Sequence, residues 1–317
     1  MSQDSARSPA ERRRVTISTL QRMKREREPI AALSIYDTPW ARHFEQAGGD
    51  LIIVGDSAEM TVHGRPNTLS MTMEKMIVHV DDVRRGAPNL FVVGDMPLGS
   101  YEPSDDLAVR NALRFVSETR CNAVKIETNL AYISRVKAIA NACLVVAHIG
   151  LNPNKAEMLG GYRVLGKTRE SIANLRETAV MSEDAGASLI LIETVAEEAA
   201  QFVAEAVGVP VFGIGAGRYL DGQLMISHDL LGLYDWPGTP PRHAKSYHGT
   251  RADITPGEAL QDAFAWYVHA VKERTFPGEG DVHNLPHEDL HGLEEFRREL
   301  KKKHGGGIIG EAVDGGG

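Results

Sequence analysis

The chain has 317 residues, of which 42% are hydrophobic, so it can bury a full-sized core as one large barrel or as two modest domains. Its formal net charge of −8 excludes a broad nucleic-acid-binding surface, because the basic runs stand only near the two ends. No apolar run approaches the roughly 18 residues of a membrane span and the first residues are polar, so we expect a cytoplasmic protein.

Short apolar strands alternate with helices along the chain, after a polar tail at residues 1–14. The predicted strands are Ile30–Ile35, Leu51–Val54, Leu90–Gly94, Ala123–Ile126, Leu144–Ala147, Leu189–Ile192, Val209–Ile214 and Leu224–Ser227. The predicted helices are Pro39–Ala47, Thr72–Arg85, Asp105–Glu118, Leu130–Asn141, Arg169–Ala185, Glu197–Val207, Pro256–Glu273 and Glu288–Lys303. The Gly-rich end after these helices is expected to be disordered.

Most of these strands are nearly continuous apolar runs, which is typical of parallel strands covered on both faces. Eight such strands with intervening helices favour an α/β fold of the (β/α)₈ or TIM-barrel type. A doubly wound open sheet stays the alternative. We predict a single barrel domain over residues 15–284, with a charged and then Gly-rich extension over residues 285–317.

Ionisable side chains follow five of the predicted strands directly. The carboxyl ends of the strands are where a (β/α)₈ barrel places its chemistry, so these residues are expected to converge there. In the fourth strand the period of two puts Lys125 and Glu127 on the same face. The candidates are Asp56 with the adjacent Ser57, then Asp95, Lys125, Glu127, His148 and Glu193.

Three of these candidates predict a site for a hard divalent cation. Asp56, Asp95 and Glu127 form an all-oxygen set suited to Mg²⁺ or a similar ion. A 2-oxo acid could chelate such an ion, which would act as a Lewis acid and stabilise the enolate formed on proton loss. Zinc is disfavoured because no cysteine and only one histidine stand among these candidates. Cys121 and Cys143 lie in or beside apolar runs, where we expect both to be buried.

The remaining candidates suit the substrate and the proton transfer. Lys125 and Ser57 could hold the substrate carboxylate. Glu193 stands among Leu and Ile, where burial would raise the pKa of its carboxyl toward that of a general acid/base. His148 could donate a hydrogen bond to a substrate oxygen. The predicted catalytic residues are therefore Glu193, Lys125 and His148.

Structural roles are alternatives for each of these residues. The two aspartates could be N-caps of the following helices, and Lys125 with Glu127 could form an ion pair at the rim. His148 could be a core histidine, and Glu193 could bond to backbone groups. The segment Gly213–Gly217 could bind phosphate, but it fits equally well a tight turn that makes room for a neighbour.

These residues fall in motifs that resemble the ketopantoate hydroxymethyltransferase (3-methyl-2-oxobutanoate hydroxymethyltransferase) family. The resemblance spans roughly Ile30 to His283 and follows the order of the family. It rests on Tyr36-Asp37, Val54-Gly55-Asp56-Ser57, His79 through Arg84-Arg85-Gly86-Ala87, Asp95-Met96-Pro97, Val124-Lys125-Ile126-Glu127, His148-Ile149-Gly150-Leu151, Gly160-Gly161-Tyr162, Gly213–Gly217 with Asp221-Gly222-Gln223, His228-Asp229 and Phe276-Pro277-Gly278.

The resemblance implies a barrel of the phosphoenolpyruvate mutase and isocitrate lyase type that assembles as a homo-oligomer, usually a decamer. It implies Mg²⁺ and, as co-substrate, 5,10-methylenetetrahydrofolate, which supplies a hydroxymethyl group to 2-oxoisovalerate. The residues it assigns are Asp56, Asp95 and Glu127 for the metal; Ser57 and Lys125, together with Asp56 and Asp95 through the metal, for the oxo acid; and Glu193 with His148 nearby for acid/base chemistry.

The sequence departs from the family pattern around the predicted mouth of the barrel. Ala58-Glu59 replaces Leu-Gly, Thr128-Asn129 replaces Gly-Gly, and Asn152 to Lys155 replaces Thr-Pro-Gln-Ser. Ser34-Ile35 replaces Thr-Ala, and Ser70 replaces Pro. We expect these positions to shape the access of substrate or folate.

Three functions follow as hypotheses. The first is hydroxymethyl transfer from the folate to 2-oxoisovalerate. The second is the same enolate chemistry on another 2-oxo acid or with a folate-independent one-carbon donor, because fold and metal site do not fix the substrate. The third is a non-catalytic oligomeric binding protein, which would have no need of an acid/base beside the metal.

Overall fold

The computed structural model describes residues 14–156, 160–249 and 253–303. Its strands form a closed, fully parallel barrel in which each strand pairs with the next and β8 pairs with β1. This confirms the TIM barrel and excludes the doubly wound sheet. The strands are β1 Ile30–Ser34, β2 Leu51–Val54, β3 Phe91–Asp95, β4 Ala123–Glu127, β5 Leu144–Gly150, β6 Leu189–Glu193, β7 Val211–Ile214 and β8 Gly222–Ile226.

Helices surround this barrel, and all eight predicted helices are present with ends shifted by a few residues. The predicted Glu197–Val207 helix ends earlier, at Ala204, and the Leu130–Asn141 segment begins with a 3₁₀ turn. The α-helices are α1 Ile17–Glu26, α2 Thr38–Ala47, α3 Ala58–Thr61, α4 Met73–Gly86, α5 Asp105–Thr119, α6 Ile133–Ala140, α7 Arg169–Asp184, α8 Glu197–Ala204, α9 Ser227–Leu230, α10 Pro256–Lys272 and α11 His287–Lys303.

Helix α1 was not predicted, and it lies at the amino-terminal end of the barrel. It buries Leu20 and Met23. The backbone N–H of Val15 donates to the carbonyl of Asn89, just before β3, and Lys24 forms an ion pair with Asp221, just before β8. The helix therefore lies opposite the end at which the predicted site residues meet.

The strands that carry the site run further than their apolar runs predict. β3, β4 and β6 each include the acid that follows the run, and β5 continues through His148 to Gly150. The parallel register pairs Asp95 with Lys125 and Glu127 with His148. A polar side chain is tolerated inside these buried strands because it points to the open end of the barrel, where other polar groups meet it.

The sequence also predicted features of the two ends of the chain, the cysteines and the absence of a membrane span. Helix α11 confirms the predicted C-terminal helix, while the expected disordered end and residues 1–13 lie outside the described residues. Cys121 is buried as expected, whereas Cys143 is only half-buried. Within the described ranges, none of the helices combines the length and the apolar character needed to cross a bilayer.

Candidate active site

A row of four ionisable side chains crosses the carboxyl end of the barrel from β3 to β6. The Asp95 carboxylate lies 2.8 Å from Lys125 Nζ, and Lys125 Nζ lies 3.2 Å from His148 Nδ1. On the far side of the imidazole, His148 Nε2 lies 3.2 Å from Glu193 Oε2. Four side chains that the sequence predicts at separate strand ends therefore meet in one line, which we call the β3–β6 row.

Lys125 and Glu127 alternate with Ile126 in β4 and so share a face of the strand, but their side chains contact different partners. Lys125 lines the central cavity and forms its ion pair with Asp95, so the predicted ion pair with Glu127 is wrong. Glu127 is buried, its Oε1 accepts from the backbone N–H of Asn154 at 3.0 Å, and its own backbone N–H donates to the Tyr101 hydroxyl. Its Oε2 is buried and has no hydrogen-bond partner among the described residues.

Asp56 joins the row through its neighbours. Its backbone N–H donates to Asp95 Oδ2 at 3.1 Å, and its own Oδ2 accepts from the Asn154 side-chain amide at 2.7 Å. Neither aspartate caps the helix that follows it, because the N-cap of α3 is Ser57, without a side-chain cap bond, and the side chain that caps α5 is Ser104. The N-cap alternative is therefore excluded for Asp56 and Asp95.

Asn154 is a site residue that the strand-end reasoning missed. It links Asp56 to Glu127 and is itself held by the Thr68 hydroxyl, 2.6 Å from its Oδ1. The only sequence signal was its departure from the family pattern. Its position in a 3₁₀ turn after β5 follows from no periodicity.

Ser57 lies on the cavity wall, next to Asp56, as predicted. Its Oγ lies 2.9 Å from the hydroxyl of Tyr36, which follows β1 and is buried. Burial raises the pKa of Tyr36 far above its usual value, so the phenol stays protonated. Ser57 and Tyr36 thus form a neutral hydrogen-bonding pair beside the charged row.

Burial raises the pKa values of the clustered carboxyls. For Asp56, burial and then the adjacent Asp95 raise the pKa to about 7. For Glu127, burial and then Asp56 raise it to about 7 as well. Burial also raises the pKa of Asp95, against the opposing effect of Lys125. The one ammonium of Lys125 must therefore offset the negative charge of three buried acids.

In the other half of the row, Lys125 is a cation, His148 is a neutral imidazole and Glu193 is a carboxyl with a raised pKa. Burial alone would lower the pKa of Lys125, but Asp95 and Asp56 outweigh it and the net shift is upward. Burial and then the Lys125 charge lower the pKa of His148 well below its usual value. Burial raises the pKa of Glu193 to about 7, which confirms the predicted direction.

The protonation of His148 follows from its contacts. An ammonium can only donate, so His148 Nδ1 beside Lys125 Nζ must be the acceptor and Nε2 carries the hydrogen. That Nε2 has no properly aligned acceptor among the described residues, although Glu193 Oε2 is near. His148 is thus a buried donor beside Glu193 rather than a core histidine with all its hydrogen bonds satisfied.

A cavity of about 900 Å³ opens above the row. The row and Ser57 form one wall. The wall on the β8 side was not predicted as part of the site, although its first residue belongs to the quoted His228-Asp229 motif. It carries Asp229, Tyr234 and Trp236.

The Gly213–Gly217 segment fits the tight-turn interpretation. Gly215 has a φ of 60° and lies against the His243 ring, and a Cβ there would come within 2.5 Å of it. Gly217 has a φ of 95° and lies against Glu197. Both glycines make room for packed side chains in a conformation that L residues rarely adopt. These contacts explain the glycines without a bound phosphate.

Most departures from the family pattern lie away from the cavity, contrary to expectation. Among the described residues, Ser34 is the only one of these positions that lines the cavity. Glu59 is fully buried beneath the surface, where it pairs with Lys75 and accepts from Ser70, itself another departure. Thr128 and Asn129 line a separate space of about 300 Å³ beside α7.

The predicted metal ligands meet the chemical requirements of a hard cation without forming a ready cage. Within ranges 14–156, 160–249 and 253–303, no three His, Cys, Asp or Glu side chains have a geometry that could hold a metal. Asp56, Asp95 and Glu127 instead contact Asn154 and Lys125. Their donor set still fits a divalent cation, since the three buried acids share the ammonium of Lys125 and Glu127 Oε2 has no partner. The metal assignment stays a prediction.

Comparison with known proteins gives a family for this chain. The family model described as ketopantoate hydroxymethyltransferase matches residues 14–279. The chain is 40% identical over 284 residues to the 3-methyl-2-oxobutanoate hydroxymethyltransferase of Alkaliphilus metalliredigens, covering 89% of this chain and 96% of the relative. It is 41% identical over 269 residues to the enzyme of that name from Ignicoccus hospitalis, covering 84% and 98%.

A solved structure has the same (β/α)₈ fold. The phosphoenolpyruvate phosphomutase from Streptomyces platensis subsp. rosaceus is similar with a TM-score of 0.51 and 15% sequence identity, over 89% of this chain and 98% of that one. At that identity the similarity shows the fold alone. The family match and the relatives near 40% identity go further. The chain belongs to the ketopantoate hydroxymethyltransferase family of enzymes.

Proposed function

We propose that this protein transfers a hydroxymethyl group from 5,10-methylenetetrahydrofolate to 2-oxoisovalerate (3-methyl-2-oxobutanoate) and forms ketopantoate. The observation that carries this proposal is the β3–β6 row, which places a cation, a neutral donor and a base with a raised pKa along one wall of the cavity. The names of the relatives support the same oxo acid. The resemblance also implies a homo-oligomer, possibly a decamer, which stays a prediction.

Asp56 and Asp95 would hold Mg²⁺ or another hard divalent ion, with Glu127 reaching it directly or through water. When bound, such an ion would polarise the carbonyl oxygen of the oxo acid and ease proton loss from the adjacent carbon. Asn154 would keep Asp56 and Glu127 oriented. Lys125 and Ser57, both on the cavity wall, would hold the substrate carboxylate.

Glu193 would act as the base. Its pKa of about 7 leaves a useful fraction ionised at neutral pH, and a fifth of its side chain is exposed to the cavity. It would take the C3 proton of the oxo acid, while the Nε2–H of His148 donates to a substrate oxygen. C3 would then form a bond to the methylene carbon, and a water molecule would supply the hydroxyl oxygen, as the two bonds from that carbon to folate nitrogens break. The C3 proton and one proton of the water would go to those nitrogens, and tetrahydrofolate would leave.

A hydrogen-exchange experiment tests the first half of this proposal. The protein is incubated with Mg²⁺ and 2-oxoisovalerate in D₂O, and loss of the C3 proton signal is followed by NMR. We expect exchange without any one-carbon donor. Absence of exchange with every small 2-oxo acid would favour the non-catalytic binding protein.

The choice of donor tests the second half. Adding 5,10-methylenetetrahydrofolate should give ketopantoate, whereas formaldehyde alone should not. Product from formaldehyde alone, or from a different oxo acid only, would support the alternative enolate chemistry instead. Two departures from the family pattern bear on this choice, since Ser34 lines the cavity and Asn154 contacts Asp56 and Glu127.

A further inference from the structure

Asp229 is a buried carboxylate that the chemistry above does not use. It follows β8, lines the central cavity and is 4% exposed. Its Oδ1 accepts a hydrogen bond from the indole Nε1 of Trp236 at 3.0 Å. Its Oδ2 is buried and has no hydrogen-bond partner in the part of the chain that the structure describes. A buried carboxylate oxygen without a donor is costly, so a ligand that supplies one would bind favourably there.

The surroundings of Asp229 suit a planar ring. The rings of Tyr234 and Trp236 line the same wall at 90° to each other, with centroids 4.9 Å apart. This wall follows β8, whereas the β3–β6 row lies across the barrel. Flat heteroaromatic rings bind against aromatic side chains, and ring N–H or amino groups are the donors that a carboxylate accepts best.

We propose that Asp229 Oδ2 accepts a hydrogen bond from an N–H group of the heteroaromatic ring of the one-carbon donor, whose ring lies against Trp236. The proposal rests on the proposed function, in which the donor is a reduced folate and its pterin ring carries such N–H groups. It assigns the β8 wall to the donor and the β3–β6 row to the oxo acid. The methylene carbon would then lie between the two walls.

The Asp229→Asn variant separates this role from two others, because each role predicts a different change in affinity for the one-carbon donor. An asparagine Oδ1 can still accept from Trp236, so a residue that only orients the indole would leave donor affinity unchanged. A residue that acts only through its negative charge would weaken binding of the anionic folate, and its removal would tighten binding. If Asp229 accepts from a ligand N–H, the variant places its own side-chain N–H group opposite that ligand N–H, and binding of the donor weakens.

The measurement is the KM for 5,10-methylenetetrahydrofolate, together with calorimetric binding of tetrahydrofolate and the C3 exchange of 2-oxoisovalerate without donor. Burial raises the pKa of Asp229 to about 6, so assays at pH 8 compare the ionised wild type. We expect the KM of Asp229→Asn to rise at least about tenfold, the loss typical of a hydrogen bond to a charged group. The C3 exchange should stay within about twofold, which also shows that the barrel is folded.

Asp235→Asn is the matched control. Asp235 lines the same cavity and loses the same charge, but it is exposed to solvent. An unchanged or lower KM in Asp229→Asn, an equal rise in both variants, or loss of C3 exchange in Asp229→Asn would each overturn the assignment. If the wild type exchanges C3 but neither binds tetrahydrofolate nor uses its methylene form, the folate half of the proposed function fails and the assignment fails with it. If the wild type uses the folate and Asp229→Asn matches it, the assignment alone fails.

Discussion

Each ionisable residue of the β3–β6 row has a protonation state fixed by its neighbours. Lys125 stays charged because Asp95 and Asp56 outweigh its burial, and that charge in turn helps to keep His148 neutral. Glu193 lies one step further along, so Lys125 opposes the effect of burial only in part. A cation, a neutral donor and a partly ionised base can therefore coexist within one short line at neutral pH.

The base assignment predicts a selective loss in Glu193→Gln. We expect the C3 exchange rate of 2-oxoisovalerate to fall at least about 100-fold, because general base catalysis commonly contributes that much. Calorimetric binding of the oxo acid should change by less than about threefold, since Lys125 and Ser57 are intact. Glu170→Gln, at an exposed acid in the first turn of α7, is the control and should exchange at the wild-type rate. Wild-type exchange in Glu193→Gln would remove Glu193 from the mechanism.

The raised pKa of Glu193 also predicts how the C3 exchange rate depends on pH. Its pKa of about 7 means that the base becomes ionised as pH rises through neutrality. The exchange rate should therefore increase from pH 5.5 to about pH 8 and then level off. Rates measured by NMR at several pH values, each corrected for buffer-catalysed exchange, check this. A rate that is flat over this range would show that Glu193 does not limit proton removal.

Strand-end reasoning finds site residues whose backbone lies in a strand, and it fails for the loops. Asp95, Lys125 and Glu193 could be predicted because parallel pairing brings strand ends together. Asn154 and Trp236 could not, since each reaches the site from a connection whose path depends on tertiary packing. The same limit applies to Glu127, whose strand was predicted but whose hydrogen-bond partner Asn154 was not.

At the scale of the elements, α10 closes the barrel where the chain's first and last strands meet. The hydroxyl of the fully buried Tyr267 lies 2.9 Å from the carbonyl of Ala32 in β1 and 3.0 Å from that of Gln223 in β8. It therefore contacts both strands of the pair that completes the barrel. Helix α10, which comes after all eight strands in the sequence, thus stabilises the pairing of β1 with β8.

Tyr267→Phe should weaken this closure without changing the cavity. Losing the hydroxyl removes a buried hydrogen bond to a strand carbonyl, which costs about 0.5–1.5 kcal/mol. Urea unfolding should show a free energy of unfolding lower by about that amount, while C3 exchange at low temperature stays near the wild-type rate. Tyr219→Phe is the control, because Tyr219 is 55% exposed and should change stability by no more than about 0.5 kcal/mol. Equal stability of the two variants would contradict the role of Tyr267.

The elements themselves were predictable to different degrees. Strands buried on both faces leave continuous apolar runs, so all eight could be found. The four-residue helices α3 and α9 are too short for a helical period to show, and α1 presents only two buried residues among basic ones. Their ends depend on tertiary contacts that the sequence does not display.

For the whole molecule, the buried acids couple stability to pH and to cations. Asp56, Glu127 and Glu193 bind protons more tightly in the folded protein than in the unfolded chain, so their ionisation between about pH 4 and pH 7 favours unfolding. Glu59 and Glu197 have lowered pKa values, and their stabilising effect is lost only as pH falls below about 4.5. Buried histidines with lowered pKa values act in the opposite direction over the same range. The effect of the acids is therefore measured against Asp56→Asn: without a divalent ion, the wild type should lose stability relative to that variant as pH rises from 5.5 to 8.

Mg²⁺ should reverse that loss, because a cation among Asp56, Asp95 and Glu127 replaces the protons that these acids give up. We expect millimolar Mg²⁺ to raise the melting temperature clearly at pH 8, less at pH 5.5, and not at all with excess EDTA. In Asp56→Asn the asparagine can keep its bond from Asn154 through Oδ1 but carries no charge. This variant should be more stable than the wild type at pH 8 without Mg²⁺, by on the order of 1 kcal/mol, and should gain less from Mg²⁺. If Mg²⁺ stabilises both proteins equally, the ion binds elsewhere and the three acids are not its ligands.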